Sequence, residues 1–150
     1  MSKQKQHIDP SKIHIKHIEE LFSEIDELDS SNDNKKIEIK VAHNSAYDVS
    51  QNGFLLGLQI VFESHEENNI SECKFRYNFY FEVDNLSEMY SLNEDDLPVF
   101  QKLFVATLSG ISYSTLRGVI MEKTSNTPWG TLILPVIDPS KILESWISQE

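Results

Sequence analysis

The stretch that decides the fold covers residues 96–138 and reads DLPVFQKLFVATLSGISYSTLRGVIMEKTSNTPWGTLILPVID. Acidic residues at its start suit the positive end of a helix dipole and Pro98 is allowed in a first turn, so we predict a helix over residues 97–108. Ser109 and Gly110 predict a break, followed by a second amphipathic helix and then by a Pro-containing loop. The upstream sequence has the pattern of β-strands, which these helices must cover.

Three upstream segments alternate apolar and polar residues with the period of two that a β-strand requires. Their apolar positions are Ile37, Ile39 and Val41; Phe54, Leu56, Leu58, Ile60 and Phe62; and Cys73, Phe75, Tyr77, Phe79 and Phe81. Asn52-Gly53 predicts a turn with positive φ, and residues 65–69 form a second polar turn. The three strands are therefore predicted to be antiparallel neighbours with one apolar face each.

The segment before these strands admits two interpretations. After the cap-like Asp9-Pro10, apolar residues recur at spacings of three and four, which favours an amphipathic helix. These residues are Ile15, Ile18, Phe22, Ile25 and Leu28. The alternative is an irregular strand with a bulge, and the residues alone favour the helix. Residues 19–33 contain seven acidic side chains and no Lys or Arg, which predicts a solvated loop.

Size and charge limit the classes of function. The 150 residues predict a flexible tail over residues 1–8 and one domain over residues 9–150. The net charge of −11 argues against binding to nucleic acid or to anionic membranes, both of which recruit Lys and Arg clusters. The single cysteine, the polar N-terminus and the Lys, Ser and Arg within the apolar region predict a cytoplasmic protein without a membrane span.

The predicted helices supply candidate interaction residues. The helix over residues 97–108 is apolar almost all round, which indicates burial on two sides and predicts an oligomer interface. The interface residues are Val99, Phe100, Leu103 and Phe104. Gly118 in the second helix predicts close backbone approach. Asp138 caps a predicted last helix over residues 141–148.

Trp129 stands between Pro128 and Gly130 in a loop, where a large aromatic is harder to bury than on a strand. Amphipathic aromatics at such sites are favoured binding anchors. A client-binding groove is therefore predicted from Trp129 together with Tyr113, Leu116 and Ile120 of the second helix. Core packing is the alternative interpretation of all four residues.

No motif predicts an enzyme. The five glycines form no phosphate-binding loop, so no nucleotide cofactor is expected. His14 and His17 lack a third ligand at a metal-binding spacing, so no metal site is predicted. Ser112 is best explained as a helix N-cap. Cys73 lies on an apolar strand face, which favours a buried side chain over a catalytic thiol.

The order of parts in the C-terminal half resembles the SecB family of protein-export chaperones. The resemblance lies in the helical turn Tyr113-Ser114-Thr115-Leu116-Arg117 and in the exit over residues 128–138, PWGTLILPVID. The family usually has a Pro-Tyr pair where this chain has Ser114 and Thr115. The resemblance implies an α+β fold, in which a four-stranded antiparallel sheet has C-terminal helices on one face and the first strand lies at an edge.

The same resemblance implies a function. SecB-like chaperones are homotetramers, built as a dimer of dimers, that hold unfolded polypeptides in apolar grooves without ATP and without catalytic residues. The implied role is a cytoplasmic holdase, with protein export as one context. Two alternatives remain: a chaperone dedicated to one client such as an antitoxin, and a small-ligand-binding or enzymatic α+β domain.

The resemblance also implies that the open sheet face would meet the motor ATPase SecA through acidic residues. The outward charges predicted here are Lys36, Lys40, Lys74 and Arg76 against Glu38, Glu63 and Glu82. Because this balance is slightly basic, it predicts weak or absent docking on SecA.

Overall fold

The computed structural model describes residues 7–28, 36–66, 69–145 and 147. Its main sheet has four strands: β1 (Ile13–Ile25), β2 (Lys36–Asp48), β3 (Gly53–Glu66) and β4 (Asn69–Val83). The spatial order is β1-β4-β3-β2 and every neighbouring pair is antiparallel. The predicted α+β fold with a four-stranded sheet is confirmed, and β1 lies at an edge.

Further elements follow the sheet in the chain. A small hairpin consists of β5 (Tyr90–Leu92) and β6 (Pro98–Phe100), and the helices are α1 (Lys102–Thr124) and α2 (Pro139–Ile142). Short 3₁₀ turns cover Pro10–Lys12, Val49–Gln51 and Leu86–Glu88. The tight turn before β3 has Asn52 at φ 54°, as the sequence predicts.

The helical interpretation of residues 15–28 is wrong, because β1 pairs with β4 along its length. Register shifts lie between Ile15 and His17 and between Glu20 and Phe22. Each shift adds one residue to β1, so residues three apart point to the same sheet face across a bulge. Two β-bulges therefore imitate the spacing of an amphipathic helix.

The face of β3 and β4 that carries the alternating apolar residues lies in the core, as the sequence predicts. Phe62, Phe75 and Phe79 are at most 1% exposed, and Cys73 is fully buried. The opposite face of the sheet, which we call the open face, carries the charged and polar residues of the same strands together with Leu55 and Val61. One sheet face is thus covered by α1 and the segments around it.

Helix α1 is continuous, so the predicted break at Ser109 and Gly110 is wrong. The Ser109 hydroxyl donates to the Val105 carbonyl at 2.8 Å within the helix, which accommodates the serine without a break. Gly110 has a packing role, since a Cβ there would lie 3.1 Å from Cγ of Pro139. Gly118 has no neighbour within 4 Å of such a Cβ, so the close approach predicted there occurs at Gly110 instead.

The start of the predicted helix is also wrong, because Pro98–Phe100 is strand β6. The acidic residues before it form the turn of the β5–β6 hairpin. Asn93 accepts the backbone N–H groups of Asp95 and Leu97 on its side-chain oxygen, at 2.8 and 3.1 Å. Asp96 adopts φ 57°. Local side-chain bonds of this kind favour a turn over a helix start.

Helix α1 is long and apolar enough, by length and composition alone, to cross a membrane. Lys102, Ser109 and Arg117 therefore do not by themselves exclude a span, and the expectation of a chain without one stays a prediction. Core helices of soluble proteins often have the same length and apolar composition. Here Phe104, Leu108, Leu116 and Ile120 are fully buried against the sheet, which accounts for much of the apolar character.

The segment after α1 returns along that helix. Arg117 Nε donates to the Leu134 carbonyl at 3.1 Å, and the Thr124 hydroxyl accepts the backbone N–H of Leu132 at 2.9 Å. Asp138 then caps α2 by accepting the N–H of Ser140 at 3.0 Å, as predicted. The last helix is shorter than the predicted 141–148 and ends at Ile142.

Candidate functional site

A groove of about 490 Å³ lies between the end of β2, strand β6 and the first turns of α1. We call it the β2–β6 groove. Its lining is mainly apolar and includes Tyr47, Phe54, Pro98, Val99, Phe100 and Leu143. Among its described lining residues, Lys102 is the one Lys, Arg, Asp or Glu. Mainly apolar concave surfaces with few polar groups are typical of ligand sites.

Phe100 organises the floor of this groove. Its ring lies 5.0 Å from Phe54, 5.2 Å from Tyr90 and 5.3 Å from Tyr47, measured between centroids. Alternation along β6 then points Val99 outward, where it is 53% exposed. The groove therefore has a packed aromatic floor and an exposed apolar rim.

A second concave surface, of about 360 Å³, lies between the outer side of α1 and the start of α2. Leu103, Ala106 and Thr107 line its α1 side, and Pro139 lines the α2 side. Leu103 is 44% exposed. We call this surface the α1–α2 cleft.

Other exposed apolar side chains lie away from both concavities. On β1 they are Ile15, Ile18 and Leu21, and after α1 they are Ile133 and Val136. Val136 has 88% of its surface exposed. Exposed apolar side chains are thus also present on the described surface outside the lining of both concavities.

The four predicted client-binding residues lie in the core of the chain. Leu116 and Ile120 are fully buried, Tyr113 is 3% exposed and Trp129 is 7% exposed. Trp129 Nε1 donates to the Asp26 carbonyl at 2.9 Å, which satisfies the indole inside the protein. Core packing describes the position of all four, and their contact with a client stays a prediction.

The four predicted interface residues are distributed over three surroundings. Val99 and Phe100 belong to the β2–β6 groove, and Leu103 belongs to the α1–α2 cleft. Phe104 is fully buried and stacks on Phe100 at 5.9 Å. Only Val99 and Leu103 of this set are strongly exposed in the chain.

Tyr47 was missed by the sequence reasoning, which ended β2 at Val41. The alternation in fact continues as His43, Ser45 and Tyr47 on the face that packs toward α1. His43 is 2% exposed and Tyr47 is 45% exposed. The alternation continues in the sequence, but the polar residues His43 and Ser45 occupy the positions where an apolar residue would have indicated a longer strand.

The groups considered for catalysis are not activated. Burial raises the pKa of the Cys73 thiol to about 12, so the reactive thiolate is scarce at neutral pH. Ser112 lies in the middle of α1 and its hydroxyl donates to the Leu108 carbonyl at 2.8 Å, so its predicted N-cap role is wrong. Neither side chain therefore resembles an activated nucleophile.

The open face brings together Glu38, Glu63 and His65, whose ligand atoms lie within 4.8 Å of one another. Sequence spacing had not indicated this group, because Glu38 comes from the neighbouring strand. Lys40 already donates to Glu63 at 2.9 Å and thereby holds the pKa of that carboxyl below its usual value. An ammonium group at this distance explains the cluster as an ion-pair network.

Acidic residues on the open face outnumber those predicted. The register adds Glu19 and Glu24 of β1 and Glu72 of β4 to this face. The expectation of a slightly basic balance is therefore wrong. Ion pairs join Lys40 to Glu63 at 2.9 Å and Lys74 to Glu72 at 3.1 Å.

Comparison with solved structures identifies the class of fold. The sequence matches no protein-family model and no curated protein. The structure is similar to a SecB-like chaperone of Mycobacterium tuberculosis, solved in complex with a ChAD peptide from the antitoxin HigA1. The TM-score is 0.60 at 14% identity, over 85% of this chain and 92% of that chain.

A protein of unknown function from Streptococcus agalactiae is also similar, with a TM-score of 0.41 and 9% identity over 83% of this chain and 97% of that one. The match to the mycobacterial protein shows that this chain has the SecB-like fold, as its C-terminal half had indicated. The low identity marks it as divergent in sequence.

Proposed function

We propose that the protein is an ATP-independent chaperone that holds unfolded polypeptides. The observation that carries this proposal is the β2–β6 groove, an apolar concavity with an exposed rim on a SecB-like fold. A folded domain gains nothing from exposing Val99 and Tyr47 beside a packed aromatic floor. A non-native chain that exposes apolar residues would cover them favourably.

The mechanism requires binding without chemistry. The groove would supply a primary contact, and patches such as Ile15 and Ile18 on β1 would supply weaker ones. One client chain linking several weak sites gains avidity through the high effective concentration of each tethered segment. The four predicted client-binding residues Tyr113, Leu116, Ile120 and Trp129 are buried, so they would contact a client only if it opened the core.

The structural neighbour indicates the class of client. The mycobacterial SecB-like chaperone was solved with an antitoxin peptide, which supports a polypeptide segment as the ligand class. A dedicated antitoxin-like client and a broad range of export clients are two forms of this proposal. A cytoplasmic location accords with both.

We also propose that the protein is a homo-oligomer, with a dimer of dimers as the expected form. The α1–α2 cleft and Leu103 provide an apolar surface for contact between copies. The acidic balance of the open face removes the charge argument against docking on SecA. We keep weak docking as the expectation only because Lys40 and Lys74 engage two of the carboxylates, Glu63 and Glu72.

Val99→Asp tests the groove. This change places a carboxylate on the rim and should weaken binding of an unfolded client by about 1–3 kcal/mol, the range of an interface anchor. The assay is suppression of aggregation of an unrelated unfolded protein, with client affinity measured in parallel.

Val136→Asp is the matched control, since this Val is 88% exposed and lies outside the groove. Equal holding activity in both variants and the wild type would place client binding elsewhere. Absence of any holding activity in the wild type would refute the chaperone proposal itself.

A further inference from the structure

The outer edge of β2 carries part of the chain's own C-terminal region. The backbone N–H of His43 donates to the Ser145 carbonyl at 2.9 Å, and the N–H of Ile147 donates to the His43 carbonyl at 2.8 Å. Since β2 is the last strand of the sheet, these bonds occupy an edge that would otherwise be open. Ser145 and Ile147 therefore bind the sheet as an added strand would.

Side chains reinforce this contact. Nδ1 of His43 lies 2.8 Å from the same Ser145 carbonyl oxygen, and His43 is 2% exposed. Ile147 is 7% exposed and lines a cavity of about 470 Å³ with Ile39 and Val41. The cavity is also lined by Lys40 and Gln59, so the edge combines backbone pairing with a mixed site in which Ile39 and Val41 offer apolar contact to a β-branched side chain.

This edge is continuous with the β2–β6 groove. His43 and Ser45 line the groove from β2, and Leu143 lines it from the segment that leads to Ser145. An extended polypeptide lying in the groove and continuing along β2 would reach His43. There, the backbone N–H and carbonyl of His43 that it would pair with are already bonded to Ser145 and Ile147.

We propose that the edge of β2 at His43 is a docking site for an extended apolar segment of a client, which the chain's own Ser145 and Ile147 fill when no client is bound. This inference rests on the proposed chaperone function and adds a site and an internal competitor to it. The chemistry is β-strand addition, in which backbone bonds give affinity and side-chain sites give selectivity. The occupant is a polypeptide with free backbone N–H groups and a β-branched or other apolar residue at the position of Ile147.

The competition has a defined size. When a site is open for only a fraction of the time, the apparent affinity of a ligand falls by that fraction. If the internal segment is docked for about 90% of the time, its removal should strengthen client binding about tenfold. Two backbone bonds and one Ile side chain form a contact that a longer client segment can displace.

Ile147→Pro in the full chain tests the site. Proline lacks the N–H that reaches the His43 carbonyl and also removes the Ile side chain. Ile147→Val is the matched control, because it keeps both the N–H and a β-branched side chain. The probe is a labelled synthetic peptide with the sequence of residues 143–150, LESWISQE, and its binding is followed by fluorescence anisotropy.

The expected result is that the peptide binds Ile147→Pro about tenfold more tightly than it binds the wild type or Ile147→Val. A peptide with Pro at the position of Ile147 should not bind any of them. Equal affinity of the peptide for all three proteins, or no binding to any, would overturn the inference. A chain ending at Glu144 repeats the test if Ile147→Pro does not fold, since it retains the buried Ile142.

An unfolded client protein separates this inference from the proposed function. If the wild type holds the client but Ile147→Pro holds it no more tightly, the docking site is refuted and the chaperone proposal stands. If the peptide binds Ile147→Pro selectively while no client is held by any variant, the edge accepts a strand and the chaperone proposal fails.

Discussion

Replacing Leu103 by Asp tests whether the outer side of α1 joins copies of the chain. Leu103 is 44% exposed, so covering its remaining surface in an interface is worth about 1 kcal/mol, because full burial of Leu is worth about 1.5–3 kcal/mol. A two-fold contact contains the residue twice. The loss is then about 2 kcal/mol, or roughly a 30-fold rise in the dissociation constant. Burying an unpaired carboxylate increases the effect further.

The assay is light scattering or sedimentation over a range of concentrations that crosses the wild-type dissociation constant. Leu92→Asp is the matched control, because Leu92 is 59% exposed on β5 and lies outside the α1–α2 cleft. Phe104→Asp should behave differently and unfold the chain, since Phe104 is fully buried and its ring centroid lies 5.4 Å from that of Phe54. A wild type that is monomeric at micromolar concentration, or a Leu103→Asp variant that associates as tightly as the wild type, would refute this reasoning.

Three further predictions concern stability and partners. Hydrogen bonds from Ser23 and Tyr77 lower the pKa of the Glu20 carboxyl, so Glu20→Gln should be less stable than the wild type at pH 7. Urea titrations should show this difference in stability disappearing as the pH falls from about 4.5 through the lowered folded-state pKa. Trp129→Phe removes the bond to the Asp26 carbonyl and should cost about 1–3 kcal/mol in urea unfolding, while a cost below the error of the measurement would contradict that bond. Titration with SecA at low and physiological salt should give weak binding; tight, salt-sensitive binding lost on changing open-face residues would show that the paired carboxylates still attract it.

The central strands were predictable because each has one apolar face and a clear turn at its end. Phe75 and Phe79 obey the same alternation that places them in the core, and no long-range information is needed to read it. The strand assignment of β1 came from the resemblance, since its bulges give a local pattern that favours a helix. Only the register with β4 distinguishes the two interpretations.

The candidate site was less predictable, since its parts come from distant positions. Val99 and Phe100 were singled out as apolar, but in a helix, because the signals of the β5–β6 turn were taken as a helix start. Asn93 followed by acidic residues and Pro98 is the turn signal that would have corrected this. Tyr47 reaches the same groove only because β2 runs beside β3, which places it opposite Phe54.

The two bulges of β1 have a consequence for the behaviour of the protein at high concentration. A regular edge strand of this length would offer another copy an uninterrupted row of backbone donors and acceptors. Lys16 and Leu21 fall outside the register with β4, and Glu19 and Glu24 add negative charge beside the edge. These interruptions oppose the joining of sheets from different molecules. An edge strand interrupted in this way is a poor template for polymerisation of the protein on itself.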